Sequence, residues 1–346
     1  MKAIVHSAYG PAKEVLELRE ISVPKLRRGE VLVRVRAASV HPDVWHVIEG
    51  TPYVLRLFGN GLTRPKKLVP GTDLSGVVEA VGAGVTRLKV GDEVFGESTP
   101  IGWWNGGAYA EYAAVPEKLL VHKPANISFE EAAAVPTSGS IALMNLGRLD
   151  RHEPGQNVLI NGAGGCVGTL SIQIAKAKGA RVTAVDRADK LAMMRTLGAD
   201  HVIDYAKEDF LRSGERYDLI LDVASNLSRE ACNHALTEGG DYVPIGHAHF
   251  GRAPGRNGGR IVGSLPYFMW LLARTMLDPE KRKNFKFPDR HENMLAFKAL
   301  IESGRVRPFI GKTFPLGEAA EAIRCMQEET VVGRIIVTPT RLAANA

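Results

Sequence analysis

The sequence predicts an α/β protein in which a β-rich first unit precedes a doubly wound parallel sheet. Three observations predict it. Short strand-like runs fill the chain up to Val115, strand and helix patterns then alternate strictly from Asn157 to Ile245, and 346 residues are too many for one typical core.

In the first unit, Ala3-Ile-Val, Val31 to Arg36, Gly76 to Val81 and Tyr109 to Val115 are strand candidates set off by Gly, Pro and Asp. Lys89 to Gly96 reads as a turn feeding another strand, and Glu49 to Leu68 as an irregular segment. From Ser128 the texture changes. Ser128 with Glu131 three residues on predicts a capping box, opening a helix over Phe129 to Leu149. Strands follow at Asn157 to Ile160, Arg181 to Val185, His201 to Ile203, Tyr217 to Asp222 and Gly240 to Ile245. Helices fall between them at Val167 to Lys178, Lys190 to Leu197 and Leu227 to Leu236. Such alternation predicts parallel strands joined by right-handed crossovers. The last stretch, helix Glu292 to Ser303 and strand Gly333 to Val337, returns towards the first unit.

Composition is that of an ordinary soluble protein, 45% hydrophobic and 24% charged. The net charge of +6, from 44 basic and 38 acidic residues, is too small and too scattered for a nucleic-acid footprint but suits a phosphate-bearing ligand. Cys166, Cys232 and Cys325 form no CxxC pair, which predicts a reducing compartment. Met1 to His6 has no signal-peptide character, and Ile261 to Leu277 is too broken to span a bilayer. The expectation is a cytoplasmic protein with no membrane or nucleic-acid partner.

The chemistry-bearing motif is Asn161-Gly-Ala-Gly-Gly-Cys-Val-Gly168. It sits between a strand and a helix, as a dinucleotide fingerprint must. Gly162, Ala163, Gly164, Gly165, Cys166, Val167 and Gly168 are therefore the expected pyrophosphate turn, with the helix N-terminus facing the phosphates. Asp186 ends the next strand, where an acid can accept from adenosine ribose hydroxyls and repel a 2′-phosphate, favouring NAD(H). Arg187 and Lys190 beside it could instead grip that phosphate, so NADP(H) stays open.

These residues carry a resemblance. The turn, Leu197 to Tyr205, Gly71 to Val78, Val90 to Gly96, Lys123-Pro-Ala-Asn126 and Ala132 to Pro136 resemble the medium-chain dehydrogenase/reductase superfamily, in its zinc-free quinone oxidoreductase-like branch. The resemblance implies a GroES-like β-barrel catalytic domain built from both chain ends, with a Rossmann domain inserted. The expected division is 1–124, 125–286 and 287–346. It also implies a homodimer, NAD(P)(H) as cofactor and a small-molecule substrate. Thr137 and Tyr205 join the cofactor-binding residues on this basis, as do Gly246 and His247 after the strand ending at Ile245.

Zinc is not expected. His41 stands where zinc-dependent relatives have a Cys, and Thr72-Asp73 replaces their His-Glu pair. His41, Asp43 and His46, on what reads as an irregular loop, give no reason to converge on a metal. His41 is the first catalytic candidate: the resembling branch usually has Asn in an Asn-Pro-x-Asp-Trp pattern, whereas this chain has His41-Pro-Asp-Val-Trp45. A side chain that titrates near neutral pH can deliver a proton; it can also simply hydrogen-bond the cofactor. Tyr53 is a second donor or gate candidate. The function expected is hydride transfer to a small quinone, enone or carbonyl. Alcohol oxidation, or cofactor binding without turnover, are the alternatives.

Overall fold

The computed structural model describes residues 1–100, 104–147, 149, 155–245, 259–263, 266, 269, 273, 277 and 289–339. Strands β1 (Lys2–Val5) and β2 (Glu17–Glu20) form a small antiparallel pair. The spine of the first large sheet is β3 (Glu30–Val40), whose Val31, Val33 and Val35 are buried while alternate positions are half-exposed, the period-two pattern of a strand with one face in a core. Helix α1 (Pro42–Glu49) follows directly. Strands β4 (Asp73–Val81), β5 (Glu93–Glu97), β6 (Tyr112–Pro116) and β7 (Leu120–His122) extend the sheet by antiparallel pairing.

The chain crosses to a second sheet through helices α2 (Phe129–Ala133) and α3 (Pro136–Leu146). One helix was expected over Phe129 to Leu149, and the capping box is present at its start, Ser128 Oγ accepting from Glu131 N and Glu131 Oε2 from Ser128 N. The break comes at Pro136, which has no N–H to continue the ladder and opens α3 at its first position. That break matters for the site, because it leaves the Thr137 N–H at a helix start.

The second sheet comprises β8 (Asn157–Asn161), β9 (Arg181–Asp186), β10 (His201–Asp204), β11 (Tyr217–Asp222) and β12 (Leu236–Pro244), all parallel. Helices α4 (Cys166–Ala177), α5 (Leu191–Thr196) and α6 (Arg229–Ala235) lie between them. Strand β12 starts earlier than the expected Gly240, with a register irregularity against β11. The order β10-β9-β8-β11-β12 reverses between β8 and β11, and ligands of such sheets bind at that reversal, beyond the strand C-termini.

Helix α7 (Arg290–Glu302) buries Met294, Phe297 and Ile301 in the same core as the parallel sheet. Strands β13 (Ile310–Pro315) and β14 (Arg334–Thr338), joined by helix α8 (Ala319–Gln327), then rejoin the first sheet, β14 pairing with β3. Both ends of the described chain therefore build one sheet, and the middle builds the other. Among the described residues no helix is long and apolar enough to cross a membrane.

One buried group outside the site sets a pH dependence. His6 is fully buried and accepts from Asn105 Nδ2 at 2.7 Å. Burial lowers its pKa from 6.5 to about 4, against the opposing hydrogen bonds from Ala8 and Asn105. Between those values the unfolded chain binds the extra proton, so stability falls as pH drops through that window, by up to about 1.4 kcal/mol per pH unit, and levels off below it. Chemical denaturation between pH 7 and 4 should show this slope, and His6→Gln should flatten it.

Candidate functional site

Strand β8 ends at Asn161, and Gly162 turns the chain with a φ of 79°, a left-handed conformation that favours glycine. The N–H groups of Gly162 and Ala163 donate to the Val185 carbonyl, pinning the turn to β9. At Gly168 the constraint is space rather than angle. A Cβ there would lie 2.4 Å from the Gly162 carbonyl oxygen and 2.5 Å from Ala163 Cα, so helix and turn meet only without a side chain. Helix α4 starts at Cys166 with Gly165 as its N-cap, and no side chain caps it. Its first-turn N–H groups and positive dipole end are left for an anion.

Beneath the turn, Asn161 Nδ2 donates to Asp222 Oδ1 and to Asn226 Oδ1, both at 2.7 Å, and Tyr242 donates to Asp222 Oδ2 at 3.0 Å. Burial raises the Asp222 pKa despite these bonds. They tie the ends of β8 and β11 together at the sheet's reversal.

Asp186 closes β9. Its Oδ2 accepts from Gly164 N at 2.8 Å, and its Oδ1 accepts from Arg187 N at 2.9 Å and faces Lys190 Nζ at 3.0 Å. A carboxylate offers about four acceptor positions, so these contacts leave roughly one for a ligand hydroxyl. Arg187 donates through Nη2 to Asp189 Oδ2 at 3.1 Å and to the Glu329 carbonyl at 2.9 Å.

The opposite wall comes from the first sheet. His41 precedes α1 in extended conformation; Pro42 opens that helix and Gly50 closes it with a φ of 62°. The expected irregular loop around His41, Asp43 and His46 is thus a short helix, its Pro-first, Gly-last chemistry overriding the weak periodicity of eight residues. His41 Nε2 lies 2.6 Å from Thr72 Oγ1, Nδ1 lies 3.8 Å from Asp43 Oδ2, and Nε2 lies 3.9 Å from Asp73 Oδ1. An imidazolium there has two anionic neighbours.

Asp73, itself fully buried, is the hub of a polar network. Arg334 Nη2 donates to Asp73 Oδ2 at 3.0 Å and to Ser39 Oγ at 2.8 Å, and Nη1 donates to Ser138 Oγ at 2.9 Å. Thr137 adds Oγ1 to Asp73 Oδ1 at 2.6 Å and its helix-start N–H to Oδ2 at 3.1 Å. Burial acts to lower the Arg334 pKa, but Cys166, Asp73 and Tyr109 hold it above its ordinary value. The network joins the strand β14 side to the glycine turn. Among the described residues, no three His, Cys, Asp or Glu side chains are grouped to hold a metal.

One groove of about 400 Å³ runs between the two walls. Of the residues the sequence singled out, His41, Thr137, Gly162, Gly164, Gly165, Cys166, Val167, Asp186, Lys190 and Tyr205 line it. Ala163 and Gly168 sit behind the turn as packing, and Arg187 lies at the rim in its ion pairs. Tyr53 is not brought to the groove; its ring stacks on Arg56, whose guanidinium is 4.5 Å away and lies as close to Tyr9. Gly246 and His247 lie outside the described residues. Among the lining residues that sequence reasoning passed over are Arg334 and Glu329. For Arg334 a signal existed: a charged residue opening an apolar strand, Arg334-Ile-Ile-Val337.

Comparison with known proteins agrees with this architecture. Residues 27–125 match the family model described as alcohol dehydrogenase GroES-like domain, and residues 197–337 match the one described as zinc-binding dehydrogenase. The chain is 30% identical to the chloroplast envelope quinone oxidoreductase homolog of Arabidopsis thaliana, over 98% of both chains. It is 33% identical to the NADPH-dependent alkenal/one oxidoreductase of the same plant, over 98% of this chain and 80% of that protein. The quinone oxidoreductase of Coxiella burnetii superposes with a TM-score of 0.77 at 27% identity, covering 98% of this chain and 99% of that one. With the glycine turn at the sheet reversal and both chain ends building one GroES-like unit, the chain belongs to the medium-chain dehydrogenase/reductase superfamily, in its quinone oxidoreductase-like branch.

Proposed function

We propose that this protein reduces a small quinone, enone or carbonyl compound with a nicotinamide dinucleotide, without zinc. One observation carries the reading: the glycine turn and His41 line the same groove from opposite sides. When bound, the dinucleotide supplies the hydride. Residues Gly162 to Val167 and the start of α4 would hold its pyrophosphate, Asp186 and Tyr205 its adenosine end, and Thr137 its nicotinamide end. His41 delivers the proton that the reduced acceptor needs. Relatives named for quinone and for alkenal/one reduction support this substrate class.

NAD(H) is the preferred cofactor in this reading. Asp186 faces the groove as a carboxylate, while Lys190 and Arg187, the two cations able to grip a 2′-phosphate, are held by Asp186 and by Asp189 with Glu329. Zinc fits the site poorly. The Arg334 guanidinium occupies the carboxylate of Asp73 and repels a second cation, and Thr72 brings a hydroxyl where a ligand nitrogen would be needed. No step therefore runs through a metal. A homodimer paired through an edge of the parallel sheet and a cytoplasmic location complete the proposal, the second supported by three free cysteines. Acceptor-dependent consumption of NADH, followed by nicotinamide absorbance across a panel of enones, quinones and aldehydes, tests it; no consumption with any acceptor would refute it.

A further inference from the structure

Glu329 stands in a conformation that its residue type disfavours. Helix α8 ends in a Schellman arrangement, Thr330 N donating to the Cys325 carbonyl at 3.0 Å and Glu329 N to the Met326 carbonyl at 3.2 Å. The position after the C-cap then takes a φ of 53°, and in this chain Glu329 occupies it. Glycine is the usual solution, and the chain uses it where α1 ends at Gly50. A glutamate here costs stability, so what its side chain touches is informative.

It touches Arg187. The Glu329 carbonyl accepts from Arg187 Nη2 at 2.9 Å, and its carboxylate lies 3.6 Å from Nη1. On its other side Arg187 is held by Asp189, through Nε at 3.2 Å and Nη2 at 3.1 Å. The Glu329 side chain is 65% exposed, and an ion pair so placed adds little to folding. Its place is what distinguishes it. Arg187 follows the ribose-facing Asp186 directly, and Glu329 lines the groove from the other sheet's side, near Asp186, Lys190 and Tyr205.

We infer that Glu329 is a cofactor-specificity residue: with Asp189 it holds and neutralises Arg187 beside the adenosine end of the groove, disfavouring a 2′-phosphate. The inference rests on the NAD(H) preference proposed above for Asp186. Asp186 rejects the phosphate from the second strand, and Glu329 disables the cation best placed to welcome it. The clamp joins the two halves of the groove, so a specificity usually read from one strand end is shared by a residue far along the chain.

The full-length protein and its E329Q, E329G, R187A and R187A/E329Q variants test this, with kcat/KM measured for NADH and NADPH against one acceptor. E329Q is expected to raise the NADPH-to-NADH ratio of kcat/KM about 5- to 10-fold, roughly a tenfold effect being typical of one charge-assisted contact. The gain should vanish in R187A/E329Q, because it requires the Arg187 guanidinium that the Glu329 carboxylate no longer neutralises. E329G should raise the ratio likewise while raising Tm, as relief of the left-handed strain demands; a merely structural role predicts the Tm change alone. A wild-type preference for NADH with an unchanged ratio in E329Q, or a gain that persists without Arg187, overturns the Glu329 assignment only. A wild-type preference for NADPH overturns the Asp186 reading and this one with it.

Discussion

Replacing Asp73 by Ala is expected to cost about 3–5 kcal/mol of folding stability, because it strands the Arg334 guanidinium in the interior without its counter-charge. Both side chains are almost completely buried, and the same carboxylate also receives Ser39, Thr137 Oγ1 and the Thr137 N–H. Losing one partner of such a pair is far more damaging than losing both. The D73A/R334L double variant should therefore be more stable than D73A alone, by about 1–3 kcal/mol, since no unpaired charge remains. Urea denaturation of the wild type, both single variants and the double variant closes the cycle. Equal stability of D73A and wild type would mean that the network contributes nothing to the fold. Because Arg334 also lies beside Cys166 of the glycine turn, cofactor affinity should weaken in D73A even where the protein remains folded.

His41→Asn is expected to lower kcat by about 10²- to 10⁴-fold, the range over which a positioned general acid acts, with a smaller change in KM for the cofactor. Steady-state kcat and KM of the wild type and H41N with one acceptor check this split. Asparagine keeps the size and a hydrogen-bonding amide, so Thr72 Oγ1 can still be met. If His41 only positions the cofactor, H41N retains most of kcat and raises the cofactor KM instead. The surroundings favour the donor role, since Asp43 and Asp73 lie within 4 Å of the ring nitrogens and Thr72 fixes Nε2.

The parallel sheet was legible because its signals are local. Tyr217-Asp-Leu-Ile-Leu-Asp222 reads as a buried strand over the same bounds that the structure gives it, and the glycine turn announces itself between a strand and a helix. Helix α1 was not legible from hydrophobic periodicity, since eight residues carry too little of it, although Pro42 and Gly50 marked both ends. The proline that splits α2 from α3 was visible but outweighed by the alanine-rich run around it. The site divides the same way. Residues that line the groove through one turn were legible, whereas Arg334 was not, because its partner Asp73 is 261 residues away and only the return of β14 to β3 brings them together. Tyr53 looked like a gate in the sequence and proves to be one side of an arginine sandwich, a contact that no spacing rule reveals.

Hydride transfer in this groove is expected to proceed without a metal. The direct measurement is NADH consumption by purified protein with an enone or quinone acceptor, before and after exhaustive chelation with metal content assayed in parallel. Undiminished acceptor-dependent turnover in metal-free protein is the predicted result. Turnover that disappears on chelation and returns with zinc would contradict it, as would tight NADH binding with no transfer to any acceptor.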